Sequence, residues 1–244
     1  MDNVVEYTDY KTHYRIDGEF IVPPEALPSG QQAAEDRRLE TLVRFAGFRR
    51  GDRVLDVGCG SGWLTQKLVD QGGRVSATDL SMVGLRGAKG RGSGAVGFVC
   101  ADGYDLPFKG DTFNGVVLSE VLEHLTQPEE VLSEAWRVLR PGGKIALTVP
   151  YKERIQWHLC IHCNRLTPAY AHLHSFDEEK LNALLSRCGF SLIRWRKFSN
   201  KILQRMGFPR WSWTWPYALW WAIDRVVTGL VGKAGFLCML AAKA

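Results

Sequence analysis

The 244 residues carry 31 lysines and arginines against 26 aspartates and glutamates, with 45% apolar and 23% charged residues. That balance excludes a disordered or collagen-like chain and allows one domain with a sizeable core. No stretch reaches the roughly 18 uninterrupted apolar residues of a spanning helix. Met1 to Tyr10 is polar and acidic, without the apolar stretch of a secretory leader. Six cysteines are scattered along the chain, with Cys59, Cys100 and Cys238 in expected core elements. Reduced thiols in a cytoplasmic protein are expected rather than a disulfide framework.

Residues 1–36 read as a segment outside the core. Tyr7, Tyr10, Tyr14 and Phe20 stand among Asp, Lys and His, and Pro23, Pro24 and Pro28 impose an extended path. Two readings stand: a surface strap packed by its aromatic rings, or a lid. A helix is expected over Glu35 to Phe48, with Leu39, Leu42, Val43 and Ala46 on one face and Gly47 as its stop. Arg53 to Val57 is short and β-branched enough for a buried parallel strand. Three glycines at alternate positions, Gly58, Gly60 and Gly62, then break the chain. Trp63 to Val69 follows with Leu64, Leu68 and Val69 at helical spacing.

This strand, glycine turn and helix form the first unit of a doubly wound sheet, whose ligands sit at the carboxyl ends of the strands. The spacing Gly-x-Gly-x-Gly departs by one residue from the dinucleotide pattern, so a pyrophosphate cradle is disfavoured. Asp56 lies inside the apolar strand, where an unpaired acid costs several kcal/mol. It is expected to bond the N–H groups of the turn, to help hold a polar or cationic ligand, or both.

Arg74 to Asp79 reads as the second strand, ending on an acid about 20 residues past the turn, where a ribose needs a bidentate acceptor. Ser81 is available to cap the next helix, which leaves Asp79 free. Gly84, Gly87, Gly90, Gly92 and Gly94 predict a short or frayed helix. Gly97 to Ala101 is the third strand, and Asp102-Gly103 opens the following loop. Phe113 to Ser119 is the fourth strand, followed by Glu120 to Leu125 and a helix over Pro128 to Leu139. Pro141-Gly142-Gly143 ends that helix, and Lys144 to Pro150 is the fifth strand. A helix over Asp177 to Cys188, a strand over Ser191 to Phe198 and a last strand over Gly235 to Lys243 complete the pattern.

Val54 to Gly62 resembles motif I of the class I S-adenosylmethionine-dependent methyltransferases, in the form of their type 11 small-molecule group. The resemblance runs from about Arg37 to Cys188 and resumes at the last strand. It implies an α/β fold: a doubly wound, mostly parallel, seven-stranded Rossmann-like sheet whose last strand is the antiparallel one inserted at the sheet edge. It makes an N-terminal lid over the cofactor one reading of residues 1–36, with the methyltransferase domain over 37–244. It implies S-adenosylmethionine as cofactor, with Asp79 on the ribose and Asp102 and Gly103 on the adenine. Asp56, Gly58, Gly60, Leu80, Ser119 and Glu120 complete the expected cofactor set. Acids without a basic residue in the glycine loop also suit a nucleoside that lacks phosphates. The acceptor is expected to be a small molecule, apolar, lipid-like or a secondary metabolite.

Methyl transfer from a sulfonium is one displacement, dominated by orientation. A base is needed only where the acceptor must lose a proton. No residue identifies itself as that base; the candidates are His124, Tyr151, His172 and His174.

Two inserts depart from the common pattern. Residues 151–176 contain Cys160-x-x-Cys163 followed by His172-x-His174, a spacing open to a structural zinc ion. Asn164 stands where such knuckles favour glycine, and the other reading is an acceptor loop with reduced thiols. Residues 199–234 are rich in tryptophan, and Arg194, Arg196, Lys197, Lys201, Arg205 and Arg210 occur before any acid at Asp224. That composition suits contact with a membrane surface or a lipid-like acceptor. It also suits a helix packed by Trp220, Ile223, Val227 and Leu230 with solvated arginines. A zinc-containing RNA-binding or scaffold protein is the alternative to an enzyme. No RNA-recognition motif is present, the strand-end constellation favours the enzyme, and nucleic acid is not an expected partner.

Overall fold

The computed structural model describes residues 9–91 and 96–244. Tyr7, Gly92 and Gly94 lie outside them. The chain runs α1 (Tyr10–Asp17), α2 (Ser29–Ala46), β1 (Arg53–Val57), α3 (Trp63–Asp70), β2 (Arg74–Asp79), α4 (Met82–Arg91), β3 (Gly97–Cys100) and β4 (Phe113–Ser119). It continues α5 (Pro128–Val138), β5 (Leu139–Pro150), β6 (Trp157–Leu159), β7 (Leu166–Pro168), α6 (Glu178–Arg187), β8 (Phe190–Asn200), α7 (Lys201–Arg205), α8 (Phe208–Trp211), α9 (Tyr217–Val231) and β9 (Ala234–Lys243).

Seven strands form one sheet in the order β3-β2-β1-β4-β5-β9-β8. The pairs from β3 to β5 are parallel, and β9 is antiparallel to both its neighbours. The strand order reverses between β1 and β4, which is where a doubly wound sheet opens its ligand crevice. One face packs Leu132, Val138, Leu181 and Leu185 of α5 and α6 against the sheet. The other packs Leu39, Leu42, Leu64 and Leu68 of α2 and α3.

Three expectations are corrected. The last strand is not at the sheet edge: β9 lies between β5 and β8, and β8 is the edge. Leu237 to Ala241 is buried without a break, the mark of a strand covered on both faces. Second, Pro141-Gly142-Gly143 is a bulge within β5. Phe113 faces Leu139 and Gly115 faces Lys144, so two steps along β4 match five along β5. Third, α2 starts at Ser29, well before Glu35, since Ala33 and the first turns pack beside α8. The glycine-rich α4 has ten residues, with Leu85 buried against Ala77 of β2, and Gly92 and Gly94, past its end, lie outside the described residues.

The tryptophan-rich insert packs on the α2 side. Arg37 Nη2 donates to the carbonyl oxygens of Trp213 (2.9 Å) and Trp215 (2.6 Å), and the Arg196 guanidinium stacks over Trp221 at 4.4 Å. Asp224 accepts from the backbone N–H of Ser199 (2.9 Å) and Asn200 (2.7 Å). The inward stripe of α9 is therefore Trp220, Asp224 and Thr228, while Leu230 points outward.

Candidate active site

The turn after β1 is held by β2. Gly58 and Cys59 donate their N–H groups to the Thr78 carbonyl oxygen (2.8 and 3.0 Å), and Gly60 donates to Asp79 Oδ2 (2.8 Å). Asp79 Oδ1 accepts from the Ser81 N–H (2.8 Å), and Ser81 Oγ accepts from the Gly84 N–H to cap α4. Asp79 is thus not free: one oxygen fastens the glycine turn and the other the start of α4. Each oxygen keeps a lone pair. Burial pushes its carboxyl above the usual range, against those backbone bonds.

The N–H groups of Gly58, Cys59, Gly60 and Gly62 go to Thr78, Asp79 and Cys59 rather than to Asp56. Its Oδ2 accepts from Thr65 Oγ1 in α3 (2.6 Å), and burial raises its pKa to about 7. Gly58 has φ +73, and a Cβ there would lie 2.8 Å from Val121 Cγ2. The position needs glycine for its conformation and for the close approach.

A cavity of about 200 Å³ opens where these strand ends meet. Gly58, Gly60, Asp79, Leu80, Asp102, Gly103 and Glu120 line it, as expected. Asp56 and Ser119 instead line a neighbouring crevice that shares Gly58 and Gly60 with it. Among the described residues, no lysine or arginine lines the cavity. The wall suits a phosphate-free nucleoside: a glycine turn open to close approach and two acids with acceptor capacity to spare. The residues named would hold the S-adenosyl group, whose sulfonium supplies an activated methyl when bound.

The cavity also takes residues from the segment read as a strap or lid, whose individual roles the sequence did not specify. Tyr10, Tyr14, Asp17, Gly18 and Ile21 line it from α1 and the segment after it. Tyr10 donates to Asp102 Oδ2 (2.7 Å), and Lys11 Nζ reaches the same oxygen (2.9 Å). Asp102 Oδ1 accepts from the Tyr104 N–H (3.1 Å), its one partner among the described residues, so it keeps capacity for an adenine amino group. Burial opposes the charge on Asp102, but the Tyr10 and Lys11 bonds hold its carboxyl below the usual range.

Arg38 was also missed. It is buried, donates to Ser119 Oγ (2.7 Å) and Thr148 Oγ1 (3.2 Å), and pairs with Glu35 and Glu120. Glu120 itself stands at φ 55, a strained conformation of the kind found beside ligand sites. Burial raises its carboxyl to about 7, against the Arg38 charge.

Comparison with known proteins agrees with this geometry. Residues 55–147 match the family described as "Methyltransferase domain". The chain is 30% identical over 174 residues to the demethylmenaquinone methyltransferase of Clavibacter sepedonicus, covering 63% of this chain and 71% of that protein. It is 29% identical to the ubiquinone/menaquinone biosynthesis C-methyltransferase UbiE of Cronobacter sakazakii, over 66% of this chain and 75% of that one. The chain belongs to the class I S-adenosylmethionine-dependent methyltransferases. A solved member of that fold, a Burkholderia thailandensis N1-methyltransferase with bound 1,6-didemethyltoxoflavin and S-adenosylhomocysteine, superposes with TM-score 0.59 at 20% identity. It covers 96% of this chain and 85% of its own. The alternative of a non-enzymatic scaffold or RNA-binding protein finds no support among these.

In this methyltransferase the four candidate bases separate. His124 lines the cavity, and the ring of His172 lies 4.7 Å from it. Burial, then the neighbouring His172, depresses the His124 imidazole to about 4. Tyr151 is not at the cavity: it is buried in the α5–α6 core layer and accepts from Lys197 Nζ (3.4 Å). His174 is turned away, its Nε2 2.7 Å from the Leu125 carbonyl oxygen. Nor do Cys160, Cys163, His172 and His174 gather into one donor set. The two cysteines sit at the tip of the β6–β7 hairpin, where the Asn164 N–H donates to the Cys160 carbonyl oxygen (2.9 Å) and Asn164 takes φ 55 in place of glycine. Among the described residues, the group of three or more His, Cys, Asp or Glu close enough to share an ion is Glu123, His124 and His172.

Proposed function

We propose that this methyltransferase acts on an apolar ring acceptor of the quinol or phenol class, met at a membrane surface. The carrying observation is the mixed character of the cavity lining. Asp79, Asp102 and the glycine turn are polar and suit the nucleoside. Tyr14, Ile21, Val121 and Leu125 add aromatic and aliphatic surface to the same cavity. Such a surface orients a flat apolar ring by shape, and orientation is what a single displacement requires. The names of the relatives, one a demethylmenaquinone methyltransferase and one a C-methyltransferase of ubiquinone/menaquinone biosynthesis, support the same class. The apolar outer stripe of α9 supports the membrane part, since an acceptor with a lipid tail is met in a bilayer.

The test has two stages. Calorimetry with S-adenosylhomocysteine and with NADH is expected to show binding of the first alone. Labelled methyl transfer is then measured over quinols, phenols, amines and polar metabolites. Transfer confined to quinols and phenols supports the reading; transfer to polar amines or acids overturns the acceptor class while leaving the methyltransferase intact.

A further inference from the structure

The one-turn 3₁₀ segment Leu122–His124, beside the cavity, holds a donor set that cofactor binding does not explain. Glu123 is fully buried, and among the described residues neither of its carboxylate oxygens has a hydrogen-bond partner. A buried, unpaired carboxylate is costly, and native structures rarely keep one without a use. Nδ1 of His124 is buried and, among the described residues, equally unpartnered.

His172 comes alongside because the Leu173 and His174 N–H groups donate to the Glu123 carbonyl oxygen (2.7 and 3.2 Å). Its Nδ1 meets a Glu153 carboxylate oxygen at 2.5 Å, which leaves Nε2 as its remaining donor atom. The ligand atoms of Glu123, His124 and His172 all lie within 4.8 Å of one another. Bonds of about 2.0–2.2 Å to a common ion need those atoms to close by roughly an ångström, within reach of side-chain rotation.

We propose that Glu123, His124 and His172 bind a divalent transition-metal ion of the zinc class, with Glu153 orienting His172 from behind. Two imidazoles and one carboxylate are a donor set for Zn²⁺ and for related first-row ions. A carboxylate on the far nitrogen of a ligating histidine is the usual outer support, fixing its tautomer and orientation. An ion also resolves what the protein alone leaves open, since it gives the Glu123 oxygens and His124 Nδ1 a partner. Three protein donors leave a coordination position for an exogenous oxygen. The hydroxyl of a phenol or quinol bound there would lose its proton to bulk water more readily, as oxygen ligands of such ions do. That last step rests on the proposed acceptor class; the ion site does not.

The test uses the full chain, freed of metal with a chelator, titrated with Zn²⁺ by calorimetry and with Co²⁺ by absorption spectroscopy. The Cys160→Ser/Cys163→Ser double variant is expected to retain one equivalent of either ion, with weak visible Co²⁺ bands and no thiolate charge-transfer band. Glu123→Gln and His172→Asn are each expected to weaken binding at least tenfold, while S-adenosylhomocysteine affinity, measured alongside, reports that they are folded. Should either variant fail to fold, the Co²⁺ spectrum of the cysteine double variant decides. A double variant that takes up no ion overturns the site, as does full affinity in a folded Glu123→Gln protein. Failure of S-adenosylhomocysteine to bind the wild type would count against the cofactor reading and leave the metal result standing.

Discussion

The Tyr14 hydroxyl donates to the carbonyl oxygen of His124 at 2.8 Å, joining residues 110 positions apart in the chain. The bond belongs to a series on one short turn. The Glu123 carbonyl oxygen accepts from the Leu173 and His174 N–H groups, and the Leu125 carbonyl oxygen lies 2.7 Å from His174 Nε2. A single 3₁₀ turn leaves its carbonyls without helical partners. Here α1 and the segment before α6 supply those partners, so both are docked to the same point beside the cavity.

Docked beside the cavity, α1 is a strap or a lid, and its protection by bound ligand distinguishes the two. Besides Tyr14 and Tyr10, the helix depends on a close approach at its end: a Cβ on Gly18 would lie 2.2 Å from Ser81 Cβ. Gly18→Val cannot close without displacing the start of α4, and Tyr14→Phe loses one bond worth about 1 kcal/mol. In the wild type, S-adenosylhomocysteine is expected to slow tryptic cleavage at Lys11 and Arg15 markedly. In Gly18→Val that protection is expected to vanish, and in Tyr14→Phe to fall roughly fivefold. Equal protection in all three proteins would mean that α1 does not close over the ligand.

Arg38 carries a second prediction. Its guanidinium is shared among Ser119, Thr148, Glu35 and Glu120, and removing one partner of a buried ion pair leaves the other charge uncompensated. Arg38→Met is expected to cost roughly 3–5 kcal/mol in urea unfolding. Arg38→Lys keeps the charge but lacks the planar fork that serves several partners at once, so it is expected to fall between the two. A wild-type midpoint in Arg38→Met would show that the network adds nothing to stability.

Much of this architecture was legible because its signals are local. Strands β1, β2 and β4 are short β-branched runs, Asp79 ends β2 and Asp102 follows β3 by two residues, so chain position placed both acids in the crevice. Three kinds of feature were not local. The place of β9 depends on which strand the returning chain pairs with. Tyr10 and Tyr14 reach the cavity through a docked helix whose sequence shows only scattered aromatics. Arg38 looks like any charged position of α2 until the fold sets it beside Ser119 and Glu120. The pairing Cys160-x-x-Cys163 with His172-x-His174 misled for the converse reason: the spacing permits a common site, but the hairpin holds the cysteines apart while the Glu123 turn draws His172 to His124.

Asp56 sets an expectation for pH. Its folded value of about 7 lies above the unfolded 3.8, because burial disfavours its charge. The native state therefore binds the proton more tightly. The resulting stability is fully present below about pH 3.8 and is lost as pH rises through about 7. Between about pH 5 and about pH 8 the loss from this group amounts to roughly 2–3 kcal/mol. Asp56→Asn can still accept from Thr65 Oγ1 but does not titrate. Its unfolding free energy is expected to fall less over that range than the wild type's, by about the same amount. Parallel curves for the two proteins would show that Asp56 does not carry the dependence.

Helix α9 is built the wrong way round for a helix whose only neighbour is its own protein. Its inward stripe holds Trp220, Asp224 and Thr228, with Asp224 committed to the backbone where β8 ends. Its outward stripe presents Leu219, Val226 and Leu230 at 49%, 60% and 83% exposure, next to Arg225. An exposed apolar stripe beside cationic side chains fits the interface of an anionic bilayer. The wild type is expected to float with vesicles containing anionic lipid, and to do so less as salt rises. Each aliphatic side chain buried in the acyl boundary contributes about 1.5–3 kcal/mol, so Val226→Asp and Leu230→Asp are each expected to reduce vesicle binding tenfold or more. Because both residues are exposed, their unfolding midpoints are expected to stay near the wild type's. Arg225→Glu is expected to weaken binding to anionic vesicles and to leave binding to neutral ones unchanged. If the wild type stays wholly in the soluble fraction with anionic vesicles at low salt, α9 is not a membrane contact and its apolar stripe has another use.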